Sequence, residues 1–159
     1  MQHARDRPGL RAVPISLSGV RQMVRELRHG RAVGLLPDHV PPEGQGVWAP
    51  FFGRPAYTMT LAAKLVHQTG AAVVMVWGER LAAARGYCLH CLPMPEPLSG
   101  DLQTAVEQIN RAVEQLILTA PDQYMWGYPR YRRPRALSGP VAALPAAGLP
   151  SRSAQETDA

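Results

Sequence analysis

Residues 34–60 limit most strongly what this chain can fold into. An apolar run at residues 32–36 predicts a strand, and Pro37-Asp38 breaks it into a loop rich in proline and glycine. The loop ends at Phe51-Phe52-Gly53, before a helix expected to begin near Thr58. A strand that ends in a carboxylate and leads through an irregular loop into a helix is typical of α/β enzymes. We therefore take this stretch as the functional centre.

The spacing of apolar residues predicts the other elements of the fold. The expected helices cover residues 16–29, 58–67 and 101–119, and the expected strands cover residues 32–36, 71–77 and 86–92. This order predicts an α/β fold, in which a partial, mostly parallel sheet is flanked by helices. One domain is expected over residues 1–135, since a chain of 159 residues can bury a sizeable core. The alanine- and proline-rich tail, residues 136–159, is expected to be disordered.

The sequence shows no targeting or membrane-spanning signal. Residues 1–11 are polar and basic, and they lack the apolar core of a signal peptide. No run approaches the ~20 apolar residues that a spanning helix needs. Any membrane contact through this chain is therefore expected to be peripheral.

The net charge of +5 indicates an anionic partner. All but one of the 17 basic residues are arginine, whose planar fork suits phosphate and carboxylate groups. A phosphorylated ligand, an anionic membrane face, an acidic carrier protein and a nucleic acid all have this property. The charge alone leaves the four open.

The run Cys88-Leu-His-Cys91 could suggest a metal or redox site. In the expected strand the two cysteines lie on opposite faces, and the sequence offers no second ligand pair. The prediction is therefore two reduced thiols, with no metal site and no cofactor.

Several residues of the central stretch are candidates for chemistry. Asp38 could orient a substrate hydroxyl, bind a metal or hold an arginine, or it could simply stabilise its own turn. Phe51-Phe52-Gly53 could floor an apolar pocket or fill the core. Arg54 and Arg80, each at the end of an element, are candidate contacts to phosphate or carboxylate, with plain surface charge as the alternative.

Residues 123–134 interleave tyrosine, tryptophan and arginine, and they include Arg130 and Arg132. Such a segment could stack nucleobases and grip phosphates. It could also lie at a lipid interface, with aromatic rings at the level of the headgroups and arginine reaching phosphates. Composition does not separate the two.

Taken together, these motifs resemble the bacterial lipid A biosynthesis acyltransferases, over roughly residues 5–134. The resemblance rests on Leu36-Pro37-Asp38, Gly46-Val-Trp-Ala-Pro-Phe-Phe-Gly53, Thr69-Gly70-Ala71, Gln123-Tyr-Met-Trp126 and Arg130-Tyr-Arg132. It implies transfer of a fatty acyl chain from acyl carrier protein to a hydroxyl of a phosphorylated lipid A precursor. The implied location is the cytoplasmic face of the bacterial inner membrane, with peripheral contact to anionic lipid and no nucleic acid.

The resemblance also implies roles for individual residues. Arg5 and Arg7 would lie near the acceptor pocket, and Asp38 matches the acidic position after the central strand. The implied substrate-binding residues are thus Arg5, Arg7, Asp38, Phe51, Phe52, Gly53 and Thr58, and the implied lipid or phosphate contacts are Arg54, Arg80, Arg130 and Arg132.

One motif of the family does not occur in this sequence. Its general base is a histidine followed five residues later by Glu or Asp. None of the histidines has such a partner, because the residues five positions after them are Pro8, Gly34, Gly44, Ala72 and Pro95. We therefore interpret the chain as the C-terminal part of such an enzyme, inactive alone and without catalytic residues of its own. The alternative is a non-catalytic basic module that binds anionic lipid or nucleic acid.

Overall fold

The computed structural model of the chain describes residues 9–14 and 16–134, and within these it is built from α-helices and antiparallel β-hairpins. Arg5, Arg7 and the expected tail, residues 136–159, lie outside the described residues. In chain order the elements are α1 (Leu17–Arg28), β1 (Gly46–Phe51), β2 (Arg54–Met59), α2 (Leu61–Thr69), β3 (Val74–Arg80), β4 (Tyr87–Pro93), α3 (Leu102–Thr119) and a 3-10 turn (Pro121–Gln123).

The three predicted helices are confirmed, but α2 begins at Leu61 rather than near Thr58, which lies in β2, and Thr60 makes no side-chain capping bond. Three other helix ends have the expected chemistry. Ser16 begins α1 by accepting a hydrogen bond from the Gly19 backbone N–H at 3.3 Å. Asp101 begins α3 in the same way, with the Thr104 backbone N–H at 2.8 Å. Gly70 ends α2 in the left-handed conformation that glycine adopts without strain.

The predicted mostly parallel sheet is wrong. The strands form two separate antiparallel pairs, β1 with β2 and β3 with β4. Only residues 52–53 connect the first pair, and only residues 81–86 connect the second. Parallel neighbours need a crossover of about a dozen residues or more, so these connections permit only hairpins.

The central stretch differs most from its prediction. Residues 32–36 form no strand, and the supposed irregular loop contains the hairpin of β1 and β2. Phe52 and Gly53 form its two-residue turn, with φ values of 47° and 70°. Positive φ at both turn positions matches the twist of a hairpin, and the Phe52 backbone N–H is held by Glu114 Oε1 at 2.8 Å.

Helix α3 is the centre of the core. Its apolar stripe packs against the β1–β2 hairpin, against α2 and against β3. The buried core residues are Ala49, Phe51, Ala56, Ala63, Met75, Ala105, Val106, Ile109, Ala112, Val113 and Ile117. Within the described part of the chain, no helix is both long enough and apolar enough to cross a bilayer.

Candidate functional site

A cavity of about 900 Å³ lies between residues 30–38, α2, β3 and α3. Most of its wall is aliphatic, with Leu65 contributed by α2 and Leu116 by α3. The cavity has the volume of a small-molecule site and an apolar lining, and it opens to solvent where Leu36, Val74 and Val76 in its wall are exposed. The central stretch therefore contributes a wall to a cavity, although it does so as irregular chain rather than as a strand.

Asp38 and Tyr124 meet in the wall of this cavity. The Tyr124 hydroxyl donates a hydrogen bond to Asp38 Oδ2 at 3.1 Å. Burial raises the pKa of Tyr124 to about 12, and the charge of Asp38 and the hydrogen bond act in the same direction. Tyr124 is therefore protonated at neutral pH and remains a donor to the carboxylate.

The loop after Asp38 is held by the same aromatic segment. The Val40 backbone N–H donates to the Tyr128 hydroxyl oxygen at 2.8 Å. The His39 ring stacks on the Tyr128 ring, with centroids 4.9 Å apart. The position of Asp38 is thus fixed from both sides, by Tyr124 on its side chain and by Tyr128 on the backbone that follows.

Arg130 is buried, with 3% of its surface exposed, and its hydrogen bonds go to neutral oxygens. It donates to the Tyr57 carbonyl at 2.9 Å and to Thr58 Oγ1 at 2.6 Å. A weaker contact reaches Asn110 Oδ1 at 3.4 Å, and the guanidinium lies over the Phe51 ring. Burial lowers the pKa of Arg130, because the charged form loses water.

In the segment from residue 124 to residue 131, the side chains of Tyr124, Tyr128 and Arg130 are therefore turned inward. Tyr131 continues the pattern, since its hydroxyl donates to the Phe51 carbonyl at 3.0 Å. Both interpretations of this segment in the sequence had required exposed aromatic rings. Its exposed side chains include Met125 and Trp126, followed by Arg132.

The structure brings only part of the expected site together. Asp38 lines the cavity, whereas Phe51, Phe52, Gly53 and Thr58 do not. Phe51 and Thr58 are buried beside Arg130, and Phe52-Gly53 forms the hairpin turn.

The expected phosphate contacts are also dispersed. The Arg54 guanidinium lies over the Tyr131 ring at 4.1 Å, and Arg132 lies over Tyr128 at 5.6 Å. Arg80 ends β3 in an exposed position, where its backbone N–H donates to Gln123 Oε1. These arginines do not form one basic pocket.

Sequence reasoning missed Tyr124 as the partner of Asp38 and Asn110 as the partner of Thr58 and Arg130. The sequence could have indicated Asn110, because it is a polar residue next to Ile109 in the apolar face of α3. Its amide donates to the Pro50 carbonyl at 2.7 Å, which ties the helix to the hairpin.

A group of potential metal ligands lies outside the cavity, on the β3–β4 hairpin. Donor atoms of Glu79, Cys88 and His90 all lie within 4.8 Å of one another. Among the described residues, this is the only such group of three.

Comparison with known proteins assigns the family. The family model for bacterial lipid A biosynthesis acyltransferase matches residues 1–133. The chain belongs to this family. The resemblance seen in the sequence is therefore confirmed, and the family is one of acyl-transferring enzymes.

Curated relatives agree with this assignment. The chain is 34% identical to the lipid A biosynthesis lauroyltransferase of Escherichia coli K12 over 116 residues, which is 71% of this chain and 38% of that protein. It is 30% identical to the palmitoleoyltransferase of the same organism and to a lipid A biosynthesis acyltransferase of Shigella flexneri, each over 74% of this chain and 39% of the relative. The chain thus spans less than two fifths of the length of these relatives.

Proposed function

We propose that this chain supplies the acyl-binding part of an enzyme that transfers a fatty acyl chain to a hydroxyl of a phosphorylated lipid A precursor. The acyl donor is acyl carrier protein, and the reaction takes place at the cytoplasmic face of the bacterial inner membrane. The observation that carries the proposal is the aliphatic cavity of about 900 Å³ in a member of this family.

The cavity suits an alkyl chain because its wall offers aliphatic contact over a large volume. Each methylene removed from water contributes about 0.8 kcal/mol, so a chain of ten methylenes gains roughly 8 kcal/mol before the costs of binding. Leu65, Leu116 and Ile117 supply such contacts from two helices.

Asp38 gives this cavity a polar end. In the proposed complex its carboxylate accepts a hydrogen bond from the acceptor hydroxyl and orients it, while Tyr124 keeps the carboxylate in place. The general base is proposed to come from outside this sequence, in which no histidine is followed five residues later by Glu or Asp.

An assay of acyl transfer tests whether the general base lies outside these 159 residues. The 159-residue chain is compared with the same chain joined to a segment that carries the histidine and carboxylate motif, using acyl carrier protein thioester and a lipid A precursor. We expect turnover only from the joined protein. Turnover by the isolated chain at the same rate would show that the base lies within these residues.

Binding of a fatty acid tests whether the cavity holds an acyl chain. A fluorescent fatty acid is titrated into the chain and displaced by dodecanoic acid. Leu116→Trp puts bulk into the cavity and should weaken binding at least about tenfold, a loss of about 1.4 kcal/mol. Leu118→Trp is the control, because Leu118 lies on the same helix and is 66% exposed. Equal effects of both variants, or no displacement from the unchanged chain, would contradict the proposal.

Peripheral membrane contact is proposed for the exposed residues of the aromatic segment. Met125 and Trp126 present apolar surface, and Arg132 is exposed six residues after Trp126, a combination that suits an anionic lipid interface. Trp126→Ala should reduce cosedimentation with anionic vesicles, and single-stranded DNA should not compete. Retention of the chain by DNA in a salt-sensitive way would favour the basic-module alternative.

A further inference from the structure

We propose that the β3–β4 hairpin binds a divalent transition metal ion of the zinc type through Glu79, Cys88 and His90. The three residues come from paired strands, with Glu79 directly opposite Cys88 and Trp77 directly opposite His90. Side chains alternate along a strand, so all four lie on one face of the hairpin. Donor atoms of the three ligands lie within 4.8 Å of one another.

The chemistry of the three side chains fits such an ion. Thiolate, imidazole and carboxylate are the side-chain ligands that Zn²⁺ uses in proteins, and three of them leave a fourth position for water. Zinc bonds of about 2.3 Å to sulfur and about 2.1 Å to nitrogen put tetrahedral ligands about 3.6 Å apart. The Cys88 sulfur must therefore approach the other donor atoms by about 1 Å at most, and Glu79 Oε2 and His90 Nε2, now 2.8 Å apart, must separate by about 0.5 Å. Rotation of these side chains provides both movements.

The hairpin already holds two of the ligands in place. His90 Nε2 lies 2.8 Å from Glu79 Oε2, and the His90 ring stacks on Trp77 with centroids 4.7 Å apart and planes 12° apart. Backbone pairing runs over the whole of both strands, from Val74 opposite Pro93 to Arg80 opposite Tyr87. Little conformational freedom remains to be lost when an ion binds.

The alternative is a simple hydrogen-bonded pair of Glu79 and His90. Both side chains are partly exposed, and solvent-screened pairs of this kind contribute little to stability. That alternative gives Cys88 no role. Metal binding uses all three residues, with the proton of the Cys88 thiol released to solvent and the neutral His90 ring supplying a lone pair.

Cys91 provides a matched control within the same strand. It lies three residues after Cys88, so its side chain projects from the opposite face of the hairpin, and it is not part of the ligand group. Both thiols are free and exposed, and replacing either by serine removes one sulfur atom without disturbing the core. The two variants differ only in which face of the hairpin keeps its thiol.

The test is a metal titration of the reduced, tag-free 159-residue chain after removal of bound metal. Co²⁺ is added first, because a cobalt–thiolate bond gives a charge-transfer absorption band, and Zn²⁺ then displaces it. We expect one equivalent to bind. Cys88→Ser should abolish the band and weaken affinity at least about tenfold, His90→Gln should weaken affinity similarly, and Cys91→Ser should leave both unchanged.

Three outcomes would overturn the proposal: no charge-transfer band in the unchanged chain, the same band in Cys88→Ser, or loss of the band in Cys91→Ser. Circular dichroism of each variant shows whether the hairpin and helices are intact. Fatty acid binding measured in parallel is expected to be unaffected by Cys88→Ser, so this result is independent of the proposed acyl-binding role.

Discussion

The Tyr124 hydroxyl donates to Asp38 Oδ2 across 3.1 Å, and this bond joins residues 86 positions apart in the sequence. Tyr128, Arg130 and Tyr131 follow with bonds to the backbone of Val40, Tyr57 and Phe51, respectively. The aromatic and basic segment therefore holds both the Asp38 loop and the β1–β2 hairpin.

Tyr124→Phe should destabilise the fold without changing its shape. The half-buried Asp38 carboxylate would lose a donor that water replaces only in part, so we expect the free energy of unfolding to fall by about 1–2 kcal/mol. Urea denaturation followed by circular dichroism measures the change. Tyr87→Phe is the control, because Tyr87 is 77% exposed, and its effect should stay within about 0.5 kcal/mol. Equal losses in both variants would rule out a specific bond to Asp38.

The raised pKa of Tyr124 predicts how the stability of the fold changes at alkaline pH. This pKa is raised from 10.0 to about 12 in the folded chain, so the contribution to stability is fully present below pH 10. Between these values the unfolded chain loses the phenol proton and the folded chain keeps it, and stability falls as pH rises. Because Tyr124→Phe lacks this titration, its unfolding free energy should fall less steeply between pH 10 and 12. Parallel slopes for the two proteins would contradict the raised pKa.

The helices were predictable because their signals are local. The apolar stripe of α3 repeats at helical spacing, and Asp101 stands where its side chain can cap the first turn. The strands β3 and β4 were also located to within a few residues. The short connection of residues 81–86 also indicates antiparallel pairing, because it cannot form a crossover, whereas the order of elements alone favours parallel strands.

The hairpin of β1 and β2 and the burial of Arg130 were not predictable in this way. Pro50 and Pro55 argue against strands, because proline cannot donate a hydrogen bond to a neighbouring strand. Both are tolerated here because they lie opposite each other in a pair of edge strands, with no third strand among the described residues. Arg130 donates hydrogen bonds to Thr58 and Tyr57, which lie more than 70 positions away in the sequence. No short window of sequence contains such a relationship, so the sequence places Arg130 among the expected contacts to lipid or phosphate rather than in the core.

Gly46→Ala should be costly although it adds only a methyl group. A Cβ at this position would lie 2.7 Å from the Thr58 carbonyl oxygen and 2.8 Å from the ring of Tyr57, so the strands must move apart. We expect a loss of about 1–3 kcal/mol in the free energy of unfolding. Gly78→Ala is the matched control, since Gly78 also lies in a strand but no atom lies within 4 Å of its added Cβ. Gly→Ala without a clash lowers the entropy of the unfolded chain and should not destabilise, so a comparable loss in Gly78→Ala would contradict crowding as the cause at Gly46.

Arg130→Met tests whether a buried cation stabilises this fold when no carboxylate of the described residues bonds to it. The substitution removes the cost of burying a charge. It also removes the Arg130 Nε, which lacks a hydrogen-bond partner among the described residues. At the same time it leaves the Tyr57 carbonyl without the Arg130 donor and removes the donor at 2.6 Å from Thr58 Oγ1. Each buried group left unsatisfied costs about 1–3 kcal/mol, so we expect a net loss of about 2–4 kcal/mol in the free energy of unfolding.

Arg130→Lys and Arg132→Met separate the possible reasons for that loss. Lysine keeps the charge but not the planar fork, so it should not restore stability. Arg132 is exposed, and its replacement by Met should change the free energy of unfolding by less than about 0.5 kcal/mol. Full stability in Arg130→Lys would mean that the charge alone is required. A loss confined to the two Arg130 variants would instead assign the effect to the hydrogen bonds that join Arg130 to Tyr57 and Thr58.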